Sequence, residues 1–134
     1  MKAKTYVKGG DELKKLLQSL KGAGAGAKLV TAVDAGLMPI QNEIVENAPY
    51  KTGTYKRSWH LGTAETTSTS AYNTTGTDVI YGPRLEFGYE ETDARGRSYH
   101  QSARPHVRPA FDAKRAEAIN EVTAALRALV EDAL

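Results

Sequence analysis

Apolar positions recur at helical intervals in three stretches of the chain and at strand-like intervals in one. Leu13, Leu16, Leu17 and Leu20 fall on one face at three- and four-residue steps, which predicts an amphipathic helix over 11–20. Asp11 and Glu12 sit at its positive end, with Asp11 placed to cap it. Lys21-Gly22-Ala23-Gly24-Ala25-Gly26-Ala27 follows, and three alternating glycines predict a flexible link. This stretch has neither the Lys-Ser/Thr pair nor the preceding strand of a phosphate-cradling loop. Leu29, Val33, Leu37, Ile40 and Ile44 then step by four, four, three and four, the strongest helical pattern in the N-terminal half. Pro39 removes one donor there and predicts a kink. Ala48-Pro49 ends the helix, because the residue before a proline avoids the helical region.

Between Thr52 and Tyr81 the spacing changes. Threonine and serine become dense, Thr52 is placed to cap a short turn, and Trp59, Leu61, Tyr72, Val79, Ile80 and Tyr81 are scattered at strand-like intervals. Residues 58–67 and 70–80 are predicted as antiparallel strands around Thr66–Thr69, with Gly76 a bulge or a turn. Few large apolar residues mark one face, so register is weakly set. Residues 88–104 have almost no aliphatic content, and predict a long exposed loop or a pair of extended arms around Arg95-Gly96-Arg97 that orders against a neighbour. Pro105 and Pro109 keep the chain extended up to the last helix, with Pro109 suited to its first position. Phe111, Ala118, Ile119, Val122, Ala125, Leu126, Leu129 and Val130 form its apolar stripe, free to pack on the sheet, on the Leu29–Ile44 helix, or on both.

These elements give an α+β fold: a small antiparallel sheet with a kinked N-terminal helix and a long C-terminal helix packed on it. Residues 1–27 are assigned to the N-terminal helix and its Gly/Ala link, and 28–134 to one α+β domain carrying the charged 88–104 loop. At 134 residues, 40% hydrophobic and 25% charged, the chain can bury a modest core. It has no cysteine, which excludes disulfides and thiolate metal sites. No apolar run is long enough to span a bilayer, and the charged first residues are not followed by the apolar stretch of a secretory leader.

A net charge of +2 argues against a dedicated polyanion binder. The charge is uneven, however. Residues 1–28 carry seven lysines against Asp11 and Glu12, while residues 117–134 carry Glu117, Glu121, Glu131 and Asp132 against Arg127. Opposite-charge ends suit either association between copies or two separately solvated helix faces.

Catalytic chemistry finds little support. His60, His100 and His106 have no helical four-residue spacing between them, and Ser58 and Ser102 lack a nucleophile elbow. His60 is placed on a strand face, and His100 and His106 in or beside the charged loop. Glu86, an acid between Leu85 and Phe87, is expected to pair with Arg57, Arg84 or Arg108. The sequence carries no catalytic set, metal ligand set or cofactor fingerprint. Arg95, Arg97, Arg104 and Arg108, with Tyr99 and His100 among them, suit phosphate contact and base stacking, which leaves a small nucleic-acid-binding or nuclease module as an alternative. Glu90, Glu91 and Asp93 lie just upstream and oppose it. A loop of mixed sign suits protein–protein pairing better. Glu90, Glu91, Asp93, Arg95, Arg97, Tyr99 and Arg104 are therefore the candidate subunit-interface residues.

Three junctions stand in order: Ala48-Pro49, Thr52-Gly53 and Ser58; Tyr81, Glu86 and Phe87-Gly88; and Pro105, Pro109, Ala110 and Phe111. This ordered set resembles the tail-completion or neck proteins of long-tailed bacteriophages, of the minor tail protein Z type. The likeness covers roughly residues 28–130. It departs at Tyr55, where that family commonly has an aliphatic residue, and at Val107, where it commonly has phenylalanine. The resemblance implies a structural virion protein at the neck, assembled in the host cytoplasm, that completes the tail end and joins it to the head. It implies a ring, six-fold by analogy, around a channel through which DNA passes without sequence-specific binding. The implied partners are further copies, a head-completion or stopper protein, and the tail tube. A tail terminator ring that stops tube growth is the alternative role.

Overall fold

A computed structural model describes residues 11, 14, 15, 18, 25–67 and 70–133. Asp11, Lys14, Lys15 and Gln18 are helical and exposed, as the 11–20 pattern predicts. Leu13, Leu16, Leu17, Leu20 and the link residues 21–24 lie outside the described residues.

Helix α1 spans Ala25–Asn47. It begins inside the predicted link, the alanines at 25 and 27 carrying Gly26 into helix. It also runs through Pro39, which gives up one hydrogen bond to the Ala35 carbonyl without ending the helix. At its end Asn47 Nδ2 donates to the Glu43 carbonyl at 3.0 Å, satisfying one of the last-turn acceptors before Ala48-Pro49 stops the helix.

Helix α2 is a single turn, Thr54–Arg57. Strands β1 (His60–Leu61), β2 (Glu65–Thr66), β3 (Ala71–Tyr72) and β4 (Thr75–Gly76) follow, paired antiparallel as β1 with β4 and β2 with β3. The predicted strands are thus one hairpin interrupted by an offset. His60 faces Gly76 and Leu61 faces Thr75, but Glu65 faces Tyr72, so three residues on one side stand against two on the other. The bulge lies at 62–64 rather than at Gly76. The hairpin rests on α1 through polar contacts as much as apolar ones. Asn73 Nδ2 donates to Asp34 Oδ1 at 2.8 Å, and Thr75 Oγ1 donates to Gln41.

Helix α3 spans Gly82–Phe87. Strands β5 (Tyr89–Thr92) and β6 (Ser98–Gln101) then form a third two-stranded ribbon in the region read as a loop or paired arms. Its ordering is internal to the chain. Helix α4, Val107–Ala133, is the longest element. Pro109 is its third residue, not its first, and its missing N–H falls within the first turn, where no intrahelical partner exists.

The architecture is therefore α+β, with small antiparallel ribbons, an N-terminal-region helix and a long C-terminal helix. Helix α4 meets α1, one of the two partners its stripe allows, and the two run antiparallel: Gly36 lies against Ala118 and Val122, while Glu43 reaches Lys114 at 4.0 Å. A Cβ on Gly36 would come within 2.4 Å of Val122 Cγ2, so only glycine permits this approach. Ile40, Ile44 and Ala110 form the core there, with Trp59, Val107 and Ala118 packed against it. Among the described residues no helix is long and apolar enough to cross a membrane.

Candidate functional site

The three junctions meet in space. Tyr55 from α2, Glu86 from α3 and His106 at the start of α4 are all buried, at 5%, 8% and 1% exposure, and they are bonded in series. Tyr55 Oη lies 2.6 Å from His106 Nε2. His106 Nδ1 lies 2.7 Å from the Arg104 carbonyl and 3.2 Å from Glu86 Oε2. Both neighbours of Nδ1 are acceptors, so in the neutral ring Nδ1 carries the proton and Nε2 accepts from the Tyr55 hydroxyl.

Glu86 caps α4 from another part of the chain. Its Oε2 accepts the backbone N–H groups of His106 at 2.7 Å and Val107 at 3.0 Å, and its Oε1 accepts that of Arg108 at 3.1 Å. These are the donors that a helix start leaves without partners, and a carboxylate there also faces the positive end of the helix. The arginine pairing expected from the sequence gives way to this cap, because three converging N–H groups satisfy a buried carboxylate better than one mobile guanidinium. Burial alone would raise the Glu86 pKa. The Val107, His106 and Arg108 amides, with the His106 ring, outweigh it and hold the carboxyl below its ordinary value. Burial pushes the Tyr55 phenol up, and the Glu86 charge adds to the shift.

The relay is closed at its outer end. The Tyr55 ring packs edge-on against Trp59 at 6.0 Å and His106 at 5.4 Å, and lies 6.0 Å from Tyr81. Every polar end in the series is used inside the protein, so the arrangement works as a tie between α2, α3 and α4. Gly53, with φ 82°, supplies the left-handed turn into α2, and Gly88, with φ 81° and ψ 176°, a positive-φ extended exit from α3 that also favours glycine. A Cβ on Gly88 would stand 3.0 Å from the Gln101 carbonyl and the Ala103 nitrogen. The base of the β5–β6 arm is pinned beside it, where the Arg104 N–H donates to the Leu85 carbonyl at 2.7 Å.

The remaining motif residues divide between frame and surface. Ser58 Oγ donates to the Tyr55 carbonyl and meets Thr77 Oγ1. The N-cap of α2 is Gly53, and Thr52 Oγ1 accepts the backbone N–H of Thr54, the first residue of α2, at 3.4 Å while bonding its hydroxyl. Pro49 is half-buried, Pro105 and Pro109 are exposed, and Phe87 and Phe111 are open to solvent at 80% and 45%. His106 lies beside the charged segment as expected, just before α4, but buried: it is the most enclosed polar side chain of the junction. Its place between Pro105 and a helix start, with a lone acid twenty residues earlier in apolar company, was the available signal.

The arm carries the interface candidates. Asp93 organises its turn: Oδ1 accepts the backbone N–H groups of Arg95 and Arg97, each at 2.9 Å, and Oδ2 accepts from Arg97 Nε at 2.6 Å. The Tyr99 hydroxyl donates to the same oxygen at 3.3 Å. The Arg97 amide leads the donors that hold the Asp93 carboxyl below its usual value. Glu90 pairs with His100 across the ribbon at 2.9 Å. The side chains of Glu91, Arg95 and Arg104 have no hydrogen-bond or ion-pair partner among the described residues. On one face of the arm Tyr81, Arg84, Tyr89, Glu91, Tyr99 and Gln101 line a shallow hollow of about 500 Å³. Arg84 stacks there over the Tyr89 ring at 4.1 Å.

Residues 11–88 match the family described as "Bacteriophage HK97-gp10, putative tail-component". No curated protein and no solved structure gives a match to the chain.

Proposed function

The chain belongs to this bacteriophage HK97-gp10-like tail-component family, and on that premise we propose that it is a neck protein of the minor tail protein Z type, completing the tail end and joining tail to head. As a tail component it is a structural part of the virion that works against other tail proteins. In the proposed assembly, copies close into a ring, six-fold by analogy, around the channel through which DNA passes. A head-completion or stopper protein lies on one side and the tail tube on the other.

The observation that carries this proposal is the division of the molecule. One part is a tied frame, in which Tyr55, Glu86 and His106 lock three junctions together. The other is an arm whose contacts are mainly internal and whose residues 94–100 are all exposed. A frame with a protruding arm suits a building block whose contacts lie outside its own chain. Of the arm's phosphate candidates, Arg97 pairs with Asp93 and His100 with Glu90, and the acids Glu90, Glu91 and Asp93 stand among them, a mixed-sign surface that suits a protein neighbour better than a polyanion.

Particles assembled without the protein test the proposal. Filled heads and finished tails that fail to join are the expected result. Tails of uncontrolled length would instead mark the terminator role, and normal infectious particles would overturn both.

A further inference from the structure

The arm hollow and the outer face of α4 are each incomplete, in opposite senses. In the hollow, Tyr81 and Tyr99 are exposed at 43% and 47%, and the exposed Glu91 carboxylate has no partner among the described residues. Its wall already accepts one guanidinium, that of Arg84 over Tyr89. On α4, Phe111, Ile119 and Leu126 are exposed at 45%, 56% and 39%. Arg115 stands four residues from both Phe111 and Ile119, so an apolar and basic stripe runs through it, whereas Arg127, next to Leu126 in sequence, points about 100° away from it. Neither arginine has a carboxylate partner among the described residues, whereas Arg108 and Lys114 on the same helix do. Around the helix Ile119 lies about 100° and Leu126 about 80° from Ala118, which faces α1, while Phe111 lies only about 20° from it.

Resting on the ring proposed above, we propose that the tyrosine-lined hollow of one copy receives the outer face of α4 of a second copy. In that contact Arg115 meets Glu91 and stacks on Tyr81 or Tyr99, while Ile119 and its neighbours are covered by the rings. Charge complementarity selects this occupant: the hollow offers an unpaired anion among aromatic rings, and the stripe offers the unpaired Arg115 guanidinium among apolar side chains. The two surfaces differ, so the contact is head-to-tail, the geometry that closes a ring or extends a fibre.

Self-association of the full chain, followed by sedimentation velocity and native mass spectrometry at several salt concentrations, tests this. Glu91→Arg and Arg115→Glu change exposed side chains without internal partners, so each should keep the native circular dichroism. Each single change should weaken association about tenfold, and the double swap should recover most of the loss, because close opposite charges at an interface are coupled. Ile119→Asp should weaken it without rescue by either swap. The inference is overturned if the single swaps leave association unchanged or if the double is no better than the singles. Loss of association on removing residues 1–24, with the swaps silent, would also overturn it by making that segment the occupant of the stripe. A protein that stays monomeric throughout would sink it too, while the particle experiment above would still decide the neck role separately.

Discussion

Glu86 and His106 lie twenty residues apart, yet the carboxylate of one accepts the backbone N–H of the other at 2.7 Å in a site where both are buried. That bond, with those to Val107 and Arg108, begins the longest helix of the protein. Glu86→Ala should cost about 2–3 kcal/mol, since it strands three backbone donors at a buried helix start. Thermal or denaturant unfolding would measure the loss, and an unchanged midpoint would contradict the cap.

The same bonds fix a pH dependence. A carboxyl whose folded pKa is depressed contributes stability above its unfolded pKa, about 4.5 here, and loses it as the pH falls through the folded value. Stability should therefore decline with acidification below about pH 4.5, and the Glu86→Gln variant should show a shallower decline there. Identical acid limbs for the two proteins would refute this.

Tyr55 acts in the opposite direction. Its phenol is shifted up from 10.0, so the unfolded chain ionises first and stability falls as the pH rises through that value. Tyr55→Phe should remove this alkaline loss. It should also cost about 1–2 kcal/mol near neutrality by leaving His106 Nε2 without its donor.

Gly36 makes the approach of α1 and α4 a steric test. Alanine there gains about 1 kcal/mol of helix propensity but forces the added methyl into Val122, for a cost of about 1–3 kcal/mol. Gly36→Ala should be net destabilising, and Gly36→Ala with Val122→Ala should recover most of the loss. Unfolding midpoints of the two variants would decide it. Gly53→Val probes a different constraint: at φ 82° the cost is backbone strain, about 1–2 kcal/mol, because the Arg57 side chain near the new Cβ can move away.

Arg95 and Arg97 differ in role despite their spacing. Arg97→Glu removes the partner of Asp93 and should raise hydrogen-exchange rates along β5 and β6, whereas Arg95→Glu, with no side-chain partner among the described residues, should leave them unchanged. Equal effects would show that Asp93 does not organise the turn.

Much of this fold was legible in the residues. The Leu29–Ile44 and Phe111–Val130 stripes mark the two helices that build the core, but only part of the second faces α1: Ala118 and Val122 pack there, while Phe111, Ile119 and Leu126 stay exposed, because the stripe is wider than the contact. The three junctions were visible as prolines and glycines in order. Their convergence was not, because it depends on contacts across 51 residues between Tyr55 and His106 and across 20 between Glu86 and His106. A buried histidine between a proline and a helix start carries no periodic signature. The bulge at 62–64 was also hidden, since a hairpin rich in threonine leaves the offset to side-chain bonds such as that of Asn73 to Asp34. The charged 88–104 segment read as a loop or as paired arms around Arg95-Gly96-Arg97, and the arms form, closed by Asp93 with four acceptor contacts that composition does not reveal.

That closure changes what docking would require of the arm. A segment that folds only on contact surrenders conformational entropy at that moment and weakens its own affinity. Here the Asp93 turn has already taken that loss during folding, so the finger meets any neighbour preorganised, and encounter is governed by charge and orientation rather than by a search through loop shapes.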